Sequence, residues 1–337
     1  MWRMKKYRVG ELFAGIGGIG LGFQQAGFTL EWANEIDKKA CVTYSSNFTH
    51  LLINEDMIKV DPTILPVIDI LTAGFPCQAF SIAGYRKGFN DDRGKLFFDI
   101  LRYIEILKPK ILFLENVKNL KSHGNGETFK IIQKELKEKG YYIKHKVLNT
   151  AHYSNIPQNR ERLYIIGFND KNIANRFEFP EPLNNTKNIR DFLETNVDDK
   201  FYYTNTKYYS HLKEQMKNIN TTYQWRRTHV RQNKSNLCPT LTANMGSGGH
   251  NVPLIIDENN DIRKLTPREC ARFQGFPDSY ILPETLPISA LYKQLGNSVS
   301  VPVVSEIAKN ILKALEDTEK CFLNFRQKKN RKNMNCC

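Results

Sequence analysis

The feature that most narrows the fold is an alternation of short apolar runs with helical ones through the first half of the chain. "YRVGELFAG" reads as a strand and "GIGLGFQQAGF" as the helix after it; "FTLEWANE" and "DKKACVTYSSNF" repeat the pair. "LLINEDM", "VIDILTAGF", "KILFLENV" and "RLYIIGF" are further β-rich runs. "KLFFDILRYIEIL" and "ETFKIIQKELKEK" carry apolar residues at helical spacing. Strands that alternate with helices predict an α/β fold, a doubly wound and mostly parallel sheet covered on both faces.

The pattern breaks near Phe179. "FPEPLNNTKN" reads as a linker, and residues 185 to about 262 are rich in Tyr, Asn and Thr with weak periodicity. Helical order returns with "LTPRECARFQGF" and "VPVVSEIAKNILKALED". The tail "RQKKNRK" holds five basic residues of seven and is expected to be solvated and disordered.

A net charge of +14 on 337 residues favours an anionic partner, of which nucleic acid is the commonest. No apolar run approaches the ~20 residues that span a bilayer, and the N-terminus lacks a signal-peptide core, so a cytoplasmic protein is expected. The seven cysteines, at 41, 77, 238, 270, 321, 336 and 337, form neither a disulfide framework nor a C-x-x-C pair. No metal site is expected.

"GIGGIG" fits G-x-G-x-x-G through Gly15, Gly17 and Gly20, between a predicted strand and a predicted helix. Glycines there allow a tight turn and a close backbone approach to a ligand. Glu35, at the end of the second strand, can accept hydrogen bonds from ribose hydroxyls. Asp56, after the next strand, is placed to reach an adenine amino group. Any adenosine-bearing ligand suits this set, NAD and S-adenosylmethionine alike.

"GFPCQAFS" puts Cys77 behind a strand-ending proline, at the edge where open α/β sheets bind ligands. A thiolate there is a candidate nucleophile, and a buried structural cysteine is the plainer alternative. "FLENV" places Glu115 at another strand end, where desolvation favours a proton-bearing carboxyl. "QNRERLYIIGF" sets Arg160 and Arg162 two apart, on one face of a strand.

Together "ELFAGIGGIGLGFQQAGF", "GFPCQAFS", "FLENV", "QNRERLYIIGF", "LTPRECARFQGFPDSY" and "YKQLGNSV" resemble the ordered motifs of DNA (cytosine-5)-methyltransferases, above all the short bacterial enzymes of restriction–modification systems. The resemblance covers Glu11 to Val304 except for about 185 to 260. It implies Cys77 as the nucleophile that adds to C6 of cytosine, Glu115 as the acid at N3, and Arg162 on O2 with Arg160 near it. It implies S-adenosyl-L-methionine as methyl donor, held by Phe13, Ala14, Gly15, Ile16, Gly17, Gly18, Glu35, Ile36, Asp56, Pro76, Leu96 and Asn297. Two positions depart from the family pattern: Ile36 where an aromatic often follows the glutamate, and Glu55 where Gly often precedes the aspartate.

The resemblance further implies two units, a catalytic one over 1–184 plus 288–337 and a smaller, irregular target-recognition one over 185–287. Double-stranded DNA is the implied partner, read by a monomer that acts without metal beside a restriction endonuclease for the same site. Ser81 and Arg93, in the loop after Cys77, and Arg226, Arg227, Arg231 and Thr240, in the variable stretch, are the expected DNA contacts. Two rivals stay open: an RNA cytosine methyltransferase on the same scaffold, and a catalytically silent DNA-binding regulator.

Overall fold

The computed structural model describes residues 6–76, 95–184, 186–226 and 229–334, with backbone alone for Lys95 and residues 323–334. The main sheet is built from β1 (Arg8–Leu12), β2 (Thr29–Asn34), β3 (Leu51–Ile53), β4 (Ile70–Gly74), β5 (Ile111–Val117), β6 (Tyr142–Asn149) and, after a two-residue β7 (Gln158–Asn159), β8 (Glu161–Phe168). Their spatial order is β3-β2-β1-β4-β5-β8-β6. The first five pair in parallel; β8 runs antiparallel to both β5 and β6. Strand order reverses between β1 and β4, and a crevice opens outside the carboxyl ends of strands at such a switch point.

Successive side chains of the central strands go to opposite faces. Ile111 and Phe113 enter one apolar cluster, Leu112 and Leu114 the other. The first cluster holds α1 (Gly18–Gln25), α2 (Lys38–Ser45) and the C-terminal helix Val301–Met334; the second holds the helices Lys95–Leu107 and Glu127–Glu138. The doubly wound expectation holds. Sequence reading missed β6, whose "YIKHKVLN" is half-buried almost throughout and carries lysines suited to a sheet edge.

Two further expectations need correction. The basic tail continues as helix to Met334, because Lys, Arg and Gln are good helix formers and no Pro or Gly interrupts the run. The polar stretch after 185 also holds a second sheet: β9 (Tyr223–Arg226), β10 (His229–Gln232), β12 (Leu254–Ile256) and β13 (Ile262–Lys264), ordered β10-β9-β12-β13. Between them β11 (Cys238–Pro239) pairs with β7. These strands are three or four residues long, too short to show a period. Leu212, Met216, Tyr223, Leu254, Ile256 and Ile262 form its small core, while Ile255 points into the large one. Ile189, Phe192, Leu241 and Phe273 also belong to the large core, so the apolar interior runs on past 185.

Candidate active site

The loop after β1 is shaped by its glycines. Gly17 caps α1 in the left-handed region at φ 78°, and a Cβ there would lie 2.4 Å from the Phe48 ring. Within α1 a Cβ on Gly18 would meet the Ser298 hydroxyl at 2.5 Å, and one on Gly22 the Val304 side chain at 2.7 Å. The motif thus brings the C-terminal segment onto the loop as much as it curves the loop. Phe13 itself sits at φ 55°, a strained conformation for a bulky residue at a ligand-facing turn.

Segments from distant parts of the chain close around a cavity of about 510 Å³ at the switch point. Its wall holds Phe13, Ala14, Gly15, Ile16 and Gly18 from the first loop, Gly74 to Pro76 from the end of β4, Glu115 to Val117 from the end of β5, Arg160 and Arg162, and Lys293, Gln294 and Gly296 to Val299. Gly74 and Glu115 are register partners in the β4–β5 ladder, and Asn116 Nδ2 donates to Phe75 O at 2.8 Å, fixing the turn that follows β4. Cys77 lies outside the described residues; Pro76, directly before it, is in the same wall as Glu115.

Glu115 is buried and receives Arg162 Nε on Oε1 at 3.2 Å. Burial pushes its carboxyl above the usual range, and the Arg162 and Arg160 charges pull back only in part. Both arginines line the cavity, as their spacing leads one to expect, but they differ in partners, and Arg160 lies just before β8 rather than in it. The Arg160 guanidinium is buried and donates to Leu241 O at 2.8 Å, to Ser298 O, and to Gly296 O at 3.5 Å. Burial and the Arg162 charge pull its pKa down to about 9, still cationic at neutral pH. It joins the variable region to the C-terminal wall of the cavity.

The remaining expected cofactor residues are placed differently. Glu35 stands behind the loop: Oε2 accepts from Gly15 N and Oε1 from Asp37 N, both at 2.7 Å. Ile36 is exposed, Asp56 accepts from Ile58 N at 3.0 Å, and Leu96 is half-buried; none of these three is in the cavity wall. Sequence reasoning missed Asp37, Lys293, Gln294 and Ser298, which do line it. Lys293 Nζ reaches Asp37 Oδ2 at 3.0 Å. Gln294 and Ser298 flank Asn297 in "YKQLGNSV", so the motif itself was the signal. Among the described residues Gln294 Nε2 and Ser298 Oγ are buried without a partner, two unspent polar groups of the sort a bound ligand satisfies.

A second, larger cleft of about 1140 Å³ runs beside the small sheet and is lined by Arg226, Arg231 and Thr240 among others. Thr240 Oγ1 donates to Asn159 O at 2.6 Å. Ser81, Arg93 and Arg227 lie outside the described residues. Among the described residues no helix is long and apolar enough to cross a membrane.

The C-5 cytosine-specific DNA methylase family model matches residues 7–313. The chain is 55% identical over 314 residues to the type II methyltransferase M.Bsp6I of Bacillus sp. (strain RFL6), covering 91% of this chain and 99% of that protein. It is 42% identical to M1.ScrFI of Lactococcus lactis subsp. cremoris, over 94% of this chain and 80% of the relative. Among solved structures, a Spodoptera frugiperda DNMT2 mutant superposes with a TM-score of 0.71 at 20% identity, over 91% of this chain and all of that one. The Entamoeba histolytica methyltransferase EhMeth also gives 0.71, at 22% identity, over 93% and 99%. These two likenesses concern the fold, whereas the family model and the bacterial relatives span nearly the whole sequence. The chain belongs to the C-5 cytosine-specific DNA methylase family.

Proposed function

We propose that this enzyme transfers a methyl group from S-adenosyl-L-methionine to C5 of a flipped-out cytosine in a specific short sequence of double-stranded DNA, through a covalent Cys77–C6 adduct. The observation that carries the reading is one cavity wall in which the glycine loop, Pro76 and the buried Glu115–Arg162 pair meet. The similarity to type II methyltransferases supports a place in a restriction–modification system, as a cytoplasmic monomer whose companion is an endonuclease for the same site.

S-adenosyl-L-methionine, when bound, supplies an electrophilic methyl group on a sulfonium. Phe13 to Ile16, Gly18, Pro76 and Asn297 would hold it, with Gly17 shaping the loop from behind and Gln294 and Ser298 offering their free polar groups. Glu35 supports this cradle from behind by fixing the Gly15 and Asp37 amides. On the base side, the Cys77 thiolate forms a bond to C6 and makes C5 electron-rich. Glu115, whose carboxyl burial raises above the usual range, places a proton at N3 and neutralises the charge that sulfur brings. Arg162 orients Glu115 through its Nε, and its remaining N–H groups suit the O2 of the base. Once C5 carries the methyl group, a base such as water takes the C5 proton, the C5=C6 bond re-forms as the C6–S bond breaks to release the thiolate, and N3 returns its proton to Glu115, so the enzyme ends as it began. C6 is stacked within a duplex, so the base must leave the helix, at a cost of roughly a few kcal/mol.

The division of labour we infer follows the same lines: residues 1–184 plus 288–337 carry the chemistry, and 185–287 carry recognition. Bisulfite sequencing of duplex DNA treated with the pure enzyme and S-adenosyl-L-methionine tests the proposal. Protected cytosines confined to one short context are expected. Protection of transfer RNA alone, or of neither nucleic acid, would contradict it.

A further inference from the structure

The large cleft beside the small sheet is chemically uneven in a way that points to what it reads. Among its described lining residues are six carboxamides, two arginines and one lysine, and no carboxylate. Asn149 and Asn233 are spent internally. The first accepts from Ala151 N and Arg160 N and donates to Asn159, and the second donates to Thr222. The β9–β10 hairpin presents the groups that are not. Its register sets Gln224 opposite Arg231, and side chains two apart on a strand share a face, so Gln224, Arg226 and Arg231 stand on one side. The other side is anchored. Tyr223 enters the small core, and Trp225 stacks on His250 at 3.7 Å and meets Tyr208 edge-on at 4.9 Å. The ribbon is therefore anchored by aromatics, of which Trp225 and His250 also reach the cleft, while Arg226 and Arg231 stay exposed and Gln224 is half-buried.

Arg226 Nη2 donates to Gln224 Oε1 at 3.3 Å. That bond occupies one of the two acceptor sites on the amide oxygen and holds the side chain so that its Nε2, which has no partner among the described residues, is free to donate. The two guanidinium groups can only donate. A face dominated by donors matches the one base whose major-groove edge carries two adjacent acceptors, the N7 and O6 of guanine. Adenine and cytosine each show an amino donor there, and thymine a methyl beside its single acceptor.

Resting on the proposed function, we propose that the β9–β10 ribbon is the base-reading element of this enzyme and that Gln224, oriented by Arg226, together with Arg231 selects guanine at fixed positions around the target cytosine. Lys234, also in the cleft, serves the phosphates. A two-stranded ribbon is of a size that fits the major groove.

The test is methylation of a randomised duplex library by the full-length enzyme, read by bisulfite sequencing, with Gln224→Ala, Arg226→Ala, Arg231→Ala and Lys234→Ala alongside. S-adenosyl-L-methionine affinity serves as the control for folding. The expected result is an invariant guanine in the wild-type context that relaxes on the order of 10- to 100-fold in one or more of the three ribbon variants. Gln224→Glu should turn selection against guanine at its position. Lys234→Ala should weaken methylation evenly across contexts and lower the salt dependence by about one phosphate contact. A wild-type context without fixed guanine, or contexts unchanged in all the ribbon variants, overturns the assignment while leaving methyl transfer standing. A wild-type enzyme that methylates no cytosine in the library overturns the underlying reading as well.

Discussion

The cavity at the rim of the large sheet and the cleft beside the small one are both polar, but their polar groups are held in opposite ways. In the cavity wall, Glu115, Asn116 and Arg160 are buried, and each is fixed by partners from other segments. In the cleft, Arg226, Arg231, Lys234, Asn244 and Asn251 are exposed, on short elements over a core of six buried residues. The contrast follows from what each must do. A group that stabilises a developing charge works best when it is oriented before the reaction and shielded from water. A group that reads base edges has to trade hydration for DNA and so stays open until DNA arrives.

Substitutions can break or sharpen that contrast. The largest effect should come from the buried acid. Glu115→Gln should lower single-turnover methyl transfer on the order of 10²- to 10⁴-fold without changing the sequence context that is methylated. The pH profile adds a direction. Because burial raises the Glu115 carboxyl, its protonated form persists above the ordinary carboxylate range, and the rate should fall as pH rises through that raised value. Arg162 pulls the value down, so Arg162→Ala should move the alkaline limb to higher pH as well as slowing the reaction. A limb that stays in place would assign the titration to another group.

Next in size is the buried strut. Arg160→Met removes the donors to Leu241, Gly296 and Ser298 and leaves their carbonyls with fewer partners. A loss of about 2–4 kcal/mol in urea denaturation is expected, together with weaker binding of both DNA and cofactor. A loss confined to DNA binding would make Arg160 part of the cleft alone.

A smaller effect should appear under the glycine loop. Glu11 is buried, accepts from Gly20 N at 3.1 Å, and has its pKa pushed up to about 8 by desolvation. The folded protein therefore holds a proton that the unfolded chain releases at ordinary carboxylate values. This contribution to stability is complete in acid and is lost as pH rises toward about 8, by at most ~1.4 kcal/mol per pH unit. Glu11→Gln should flatten the melting temperature between about pH 5 and 8. An unchanged pH profile would mean that Glu11 is ionised in the folded state.

The smallest stability effect belongs to Lys293→Ala. The ion pair with Asp37 is largely exposed, so stability should change by less than ~1 kcal/mol. A rise in the dissociation constant for S-adenosyl-L-methionine without that loss would place the lysine on the ligand.

The same contrast governs how much the sequence reveals. The sheet and the glycine loop are legible because buried parallel strands are near-continuous apolar runs, as in "KILFLENV", and because Gly15, Gly17 and Gly18 answer to local backbone and packing demands. Glu115 is legible because it ends such a run. The strand β6 is not, since an edge strand half-open to water has no clean alternation. The hairpin is hidden for a related reason: four-residue strands stabilised by the Trp225–His250 stack depend on a residue twenty-five positions away. The divergence of Arg160 from Arg162 is equally non-local, because Leu241 and Ser298 decide it from distant parts of the chain.

The account turns on a sulfur nucleophile at residue 77 acting beside Glu115. Duplex DNA carrying 5-fluorocytosine at the methylated position tests this most directly, because fluorine at C5 cannot leave as a proton does and the adduct is trapped. With S-adenosyl-L-methionine present, a protein–DNA complex that survives denaturation is expected, with peptide mass spectrometry locating the base on Cys77 and Cys77→Ser forming none. An adduct on another residue, or one that forms equally well in Cys77→Ser, would contradict it.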